Sequence, residues 1–185
     1  MAIANCVHLL RHGEFVRREG SNDGPLTTRG RRQARLAAAR LCELPIAKIY
    51  SSDVERAKET AEIVSGKLPG IPWTALSVLR ELIPTAVPGH RIPLESRRSA
   101  KRRIEKVVAR FLTRPPRSGD TVLVCHGNLI RASLCRVLET PLTRWRRIGT
   151  FHCAITSFGF RKDGQVYLRS VNDTGHLPIE ITTTT

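Results

Sequence analysis

Arg11-His12-Gly13-Glu14 closes an apolar, strand-like run, Cys6-Val7-His8-Leu9-Leu10, and sets an imidazole beside a permanent cation. Histidine is largely neutral near pH 7, so its lone pair can attack while the guanidinium offsets charge on the group attacked. That pairing suits chemistry at an anionic centre such as a phosphorus atom. A second strand-His-Gly element stands late in the chain, His126-Gly127 after Val122-Leu123-Val124-Cys125. Open α/β sheets bind ligands where strands end, and helix N-termini there offer N–H groups to anions. Both histidines fall at such points. Arg56 is the third candidate. Ser52-Asp53-Val54-Glu55 reads as a capping box that opens a helix, which puts Arg56 in the first turn, against the helix dipole. A locally unfavourable residue marks a candidate functional position; the alternative is a surface arginine paired with Asp53 or Glu59.

The elements that must position these residues alternate. A strand near residues 5–10 leads through a Gly- and charge-rich loop, 14–24, into a helix opening at Thr27 or Thr28. Ala34, Ala37, Ala38 and Leu41 follow i, i+3, i+4, i+7 spacing there. Residues 46–50 read as a strand, and Ala57, Thr60, Ala61 and Val64 form the stripe of the next helix. A Pro/Gly-interrupted loop is expected over 68–93. A third helix over 96–112 carries Ile104, Val107, Val108 and Phe111 on one face and ends before Pro115-Pro116. Residues 121–125 suit a central parallel strand covered on both faces, and 128–138 suit a helix. A hairpin is expected from 152–160 and 165–171 around Asp163-Gly164. Alternating strands and helices predict an α/β fold in three layers, a mostly parallel central sheet flanked by helices. All 185 residues read as one domain.

The charge balance is unusual. Lys and Arg number 31 against 16 Asp and Glu, a net charge of +15, which favours anionic partners. Aromatics make up 5% and are not interleaved with the basic residues, which argues against a nucleic-acid stacking platform. The five cysteines form no CxxC pair, and with the six histidines they show no metal-ligand spacing. They point to a cytoplasmic or other reducing compartment. No secretory signal and no apolar run of about 18 residues is seen.

Taken together, five stretches resemble the histidine phosphatase superfamily, which also contains the cofactor-dependent phosphoglycerate mutases. They are Leu10-Arg11-His12-Gly13-Glu14, Pro25-Leu26-Thr27-Thr28-Arg29-Gly30 with the residues to Ala34, Ser51-Ser52-Asp53-Val54-Glu55-Arg56 with those to Ala61, Leu79-Arg80-Glu81, and Val124-Cys125-His126-Gly127. They occur in family order over almost the whole chain. The C-terminal third, through Trp145 to Asn172-Asp173-Thr174-Gly175-His176-Leu177-Pro178, is most similar to the mitochondrial phosphoglycerate-mutase-like serine/threonine protein phosphatases. No counterpart of their N-terminal membrane anchor is read in this sequence.

The resemblance implies a phosphoglycerate mutase-like fold and a site without metal or cofactor. His12 would be the nucleophile forming a phosphohistidine, and Arg11, Arg56 and His126 would surround the phosphoryl oxygens. Glu81 would be the general acid, with Glu14 the alternative. Gly13 and Gly127 would let the backbone approach the phosphate. The implied activity is phosphomonoester hydrolysis, on phosphoproteins (Ser/Thr) in the first reading. A small-metabolite phosphatase and a mutase-type phosphotransferase are the alternatives, and a basic non-enzymatic binding protein stands behind them. Of the other histidines, His8 is expected to be packed in its strand, His90 solvated in a loop that could also line the cleft, His152 structural at a strand start with a contact to the phosphate pocket as the alternative, and His176 structural support. The 152–171 hairpin offers an edge for oligomerisation.

Overall fold

The computed structural model describes residues 5–82 and 96–184. Among these, six strands form one sheet: β1 (Val7–Arg11), β2 (Ile46–Ser51), β3 (Trp73–Ala75), β4 (Asp120–Cys125), β5 (Ile155–Phe160) and β6 (Val166–Asp173). Their order is β3-β2-β4-β1-β5-β6. The first four run parallel, and β5 and β6 add an antiparallel hairpin on the β1 side. The helices are α1 (Thr28–Leu41), α2 (Glu55–Lys67), α3 (Arg97–Phe111) and α4 (Gly127–Val137).

The pleat sorts the central strands into two apolar faces. Leu9, Leu123 and Cys125 pack with Ile104, Val107 and Phe111 of α3 and Leu129, Ile130 and Leu134 of α4. Leu10, Val122 and Val124 face the other way, onto Ala34, Ala37, Ala38 and Leu41 of α1 and Ala57, Ala61 and Val64 of α2. The alanine stripes lie fully buried. Both central strands are buried throughout, as their continuous apolar runs require.

Three local expectations change. Within 68–82, β3 and a single helical turn at Ser77–Leu79 replace featureless loop. Two of the three residues of β3 are exposed and it pairs only with β2, so it leaves no periodic trace in the sequence. Residues 83–93 of the expected loop, with His90, lie outside the described residues. The expected capping box does not form: Val54 is the N-cap of α2 and offers no side-chain cap bond. Asp23 supplies it instead, accepting from Glu55 N at 2.8 Å and Arg56 N at 3.4 Å. The third change is at β5, which starts at Ile155, so His152 lies in the preceding turn, where Cys153 takes a left-handed φ of 55°. His8 is packed as its position suggested, bonded through Nε2 to Asp120 at 2.9 Å and through Nδ1 to Ser157 Oγ at 2.8 Å.

Candidate active site

Parallel register between β1 and β4 sets the site. Leu10 pairs with Val124 and Arg11 with Cys125, and His12 N donates to Cys125 O at 3.0 Å. The chain from β1 leads to α1 on one face of the sheet, and that from β4 leads to α4 on the other. The crevice opens where these connections diverge, at the carboxyl ends of two adjacent strands. His12 and His126 are the first residues past those ends, with ring centroids 5.1 Å apart, and both are buried.

Their bonding partners set the tautomers. His12 Nδ1 lies 2.8 Å from Gly13 O, and a carbonyl only accepts, so Nδ1 carries the proton and Nε2 the lone pair. Arg56 Nε donates to that lone pair at 3.1 Å. A second Arg56 nitrogen, Nη2, lies 3.1 Å from His126 Nδ1. Guanidinium only donates, so His126 accepts at Nδ1 and carries its proton on Nε2, which is buried with no hydrogen-bond partner among the described residues. One imidazole therefore offers a lone pair and the other an N–H. Burial first, then the charges around them, hold both well below the usual histidine range: His126, Arg56 and Arg11 for His12, Arg56 and Arg11 for His126. Both are neutral near pH 7.

Arg56 is itself 3% exposed. Its Nη1 donates to Asn22 O at 2.6 Å and to Asp23 Oδ1 at 3.0 Å, and its guanidinium lies 4.5 Å from the Phe15 ring centre. The surface pairing for Arg56 is not made, because Asp53 binds Arg80 through two bonds of 2.7 Å and Glu59 pairs with Arg31. Arg11 is buried too, donating to Thr150 O at 2.7 Å, and burial lowers its pKa to about 10.

Glu81 completes the group from the strand-poor segment after β3. Its carboxylate accepts from Leu82 N at 2.9 Å and from Asn128 N, in the first turn of α4, at 3.1 Å. Burial pushes this carboxyl above its ordinary range, against the pull of those N–H groups and of Arg11 and Arg56. Arg103 of α3 fixes the segment by donating to Glu81 O at 2.8 Å and to Arg80 O. Glu14, the alternative acid, is engaged elsewhere: it accepts from Thr27 Oγ1 at 2.8 Å and Arg29 at 3.1 Å. Arg56 and Glu81 line a cleft of about 470 Å³ together with Asp23, Arg80 and Arg103.

The glycines act through packing. A Cβ on Gly13 would lie 2.6 Å from Gly30 O, and Gly13 N is already bonded to Thr60 Oγ1 at 3.1 Å. A Cβ on Gly127 would lie 2.8 Å from Thr150 Oγ1 and 3.5 Å from Arg11 Nε. These positions let the loop seat on α1 and Arg11 cross the start of α4.

Sequence reasoning did not select Asp23, Phe15 or Arg103, and for His152 it set a structural role ahead of a contact to the phosphate pocket. His152 is buried with its ring 5.6 Å from that of His12, and its Nδ1 is 3.0 Å from Thr183 Oγ1. His176 supports the same turn by donating from Nε2 to Cys153 O at 3.0 Å. None of these residues carries a local signal, since each acts across the fold. Among the described residues no cluster of metal-ligating side chains occurs, and no helix is long and apolar enough to cross a membrane.

The family model for the histidine phosphatase superfamily (branch 1) matches residues 7–91 and 84–174. The chain belongs to the histidine phosphatase superfamily. Within it, the chain is 36% identical over 183 residues to the mitochondrial serine/threonine-protein phosphatase Pgam5 of Caenorhabditis briggsae, covering 92% of this chain and 64% of that protein. Its counterpart from Mus musculus is 32% identical, covering 93% and 64%. The chain thus spans slightly less than two thirds of these relatives. Among solved structures, YhfR of Bacillus stearothermophilus superposes with a TM-score of 0.76 at 25% identity, over 95% of this chain and all of that one. A mycobacterial glucosyl-3-phosphoglycerate phosphatase, solved with inorganic phosphate, gives 0.75 at 25% identity over 95% of this chain and 100% of its own. These histidine phosphatases share the mostly parallel sheet flanked by helices seen here.

Proposed function

We propose that this histidine phosphatase hydrolyses phosphomonoesters through a phosphohistidine on His12, and that its substrates are phosphoserine and phosphothreonine in proteins. The observation that carries the reading is the bond from His12 Nδ1 to Gly13 O, which leaves Nε2 as a lone pair in a cationic pocket. In the first step Nε2 attacks phosphorus, the P–O bond to the leaving group breaks, and Glu81 gives its proton to the departing oxygen. In the second, the Glu81 carboxylate takes a proton from water as that water attacks phosphorus. The P–N bond breaks, phosphate leaves, and His12 is restored. Arg11, Arg56 and the Nε2–H of His126 hold the phosphoryl oxygens, where positioning and charge supply most of the rate.

The Pgam5 relatives support the protein substrate. A small phosphorylated metabolite is the second reading, favoured by the glucosyl-3-phosphoglycerate phosphatase likeness. The test is to quench turnover of an aryl phosphate and look for an acid-labile, base-stable phosphoenzyme that maps to His12. His12→Ala should lose roughly a thousandfold or more in kcat with its circular dichroism unchanged. Wild-type turnover in that variant would overturn the mechanism.

A further inference from the structure

Helix α3 breaks the usual rules of a surface helix. Its first turn has no acidic residue and carries Arg98, so a cation stands against the positive end of the dipole. Arg98, Arg102 and Lys106 then repeat at i, i+4 spacing, with Lys101 beside them, and like charges at that spacing disfavour the helix. All four side chains are exposed, and none has an acidic partner among the described residues. The one acid of the helix, Glu105, is turned to Arg136 at 3.0 Å.

This cationic strip adjoins the mouth of the candidate active site. Ser99 and Arg103, its neighbours on α3, line the same cleft as Arg56 and Glu81. A phosphorylated side chain that reaches His12 must leave its main chain at that mouth. Resting on the phosphatase reading, we propose that the substrate is a phosphopolypeptide with acidic residues beside the phosphorylated one, and that Arg98, Lys101, Arg102 and Lys106 receive them. The rise from Arg98 to Lys106 is about 12 Å, the reach of roughly four extended residues. The acidic residues are therefore placed within about four positions of the phosphate. A nucleic acid is the poorer fit, since the strip carries no exposed aromatic ring on which a base could stack.

The test compares kcat/KM for two phosphoserine peptides that differ only in flanks, one with Asp and Glu and the other with Asn and Gln. An aryl phosphate that enters only the inner pocket serves as control. The acidic peptide should be favoured about tenfold or more at low salt, and the preference should shrink as ionic strength rises. The triple variant Arg98→Glu, Lys101→Glu, Arg102→Glu should lose the preference, chiefly through KM, while aryl phosphate turnover holds and the thermal midpoint does not fall, since acids suit the start of the helix. The neutral Gln triple should fall between. Equal rates on both peptides with intact aryl phosphatase activity would overturn the substrate class and leave the phosphatase reading standing. Loss of all turnover in the wild type would overturn both. Charge-dependent binding of single-stranded DNA or anionic vesicles, with no peptide preference, would assign the strip to that partner and overturn the proposal.

Discussion

Arg56 Nε donates to His12 Nε2 at 3.1 Å, so the cation that would hold the phosphate also holds the nucleophile. The guanidinium is oriented in turn by Asp23, at 3.0 Å from its Nη1. The loop after β1 thereby controls a side chain at the start of α2, and the cap that α2 lacks in its own sequence comes from the same carboxylate.

Asp23→Ala removes the cap and the guanidinium partner together. It should cost about 1–2 kcal/mol in urea unfolding and lower kcat/KM by roughly tenfold. Asp23→Asn, which can still cap, should keep most of the stability and lose activity. If the two variants lose stability and activity alike, the charge on Asp23 has no role of its own.

Glu81 must be protonated when the leaving group departs. Its pKa is raised, so the competent form persists above the ordinary carboxylate range and is lost as pH rises through the raised value. His12 is depressed, so its neutral form survives to more acidic pH than a free histidine would. The profile of kcat/KM for an alkyl phosphate should fall on its basic side because of Glu81. Glu81→Gln can still accept from Asn128 N, and it should flatten that limb while lowering the rate. A smaller loss is expected for an aryl phosphate, whose leaving group needs less protonation. An unchanged basic limb in the variant would assign the limb elsewhere.

Gly30 lies inside α1, where alanine ordinarily gains about 1 kcal/mol. Here a Cβ would sit 2.0 Å from Glu14 O, a backbone atom held by a bond from Thr27 N at 2.9 Å. Gly30→Ala should therefore destabilise by about 2–3 kcal/mol, and shift His12 enough to cut kcat. A neutral or stabilising result in denaturant titration would show that the loop yields.

His152 gives a pH signature in stability. Burial first, then Arg11, lowers its pKa to about 3, so the folded protein keeps the ring neutral where the unfolded chain, near 6.5, takes up a proton. The unfolded state binds more protons below that pH, so stability falls as pH falls through about 6.5 and continues to fall towards 3. Between pH 7 and 5 the ring should account for about 2 kcal/mol of that loss. His152→Asn preserves a side-chain contact with Thr183 and should flatten the curve by about that amount. A curve parallel to wild type would place the imidazole outside the titration.

The three-layer order, both site strands and the paired histidines were legible in the residues themselves, because buried parallel strands and amphipathic helices leave continuous or periodic apolar runs. His12, Arg56, Glu81 and His126 stood out by type and motif; the fold bonds Arg56 to both histidines and sets Arg56 and Glu81 on one cleft. Asp23, Arg103 and the turn that carries His152 were not legible, because their partners Arg56, Glu81 and Thr183 lie 33, 22 and 31 positions away and no local pattern encodes such a contact. The same limit applies to the capping box, where local spacing suggested Ser52 and the tertiary fold supplied Asp23. Which nitrogen of each imidazole carries the proton was decided only in three dimensions. Gly13 O can only accept and Arg56 can only donate, so a lone pair on His12 and an N–H on His126 follow from the packing of β1, β4 and α2.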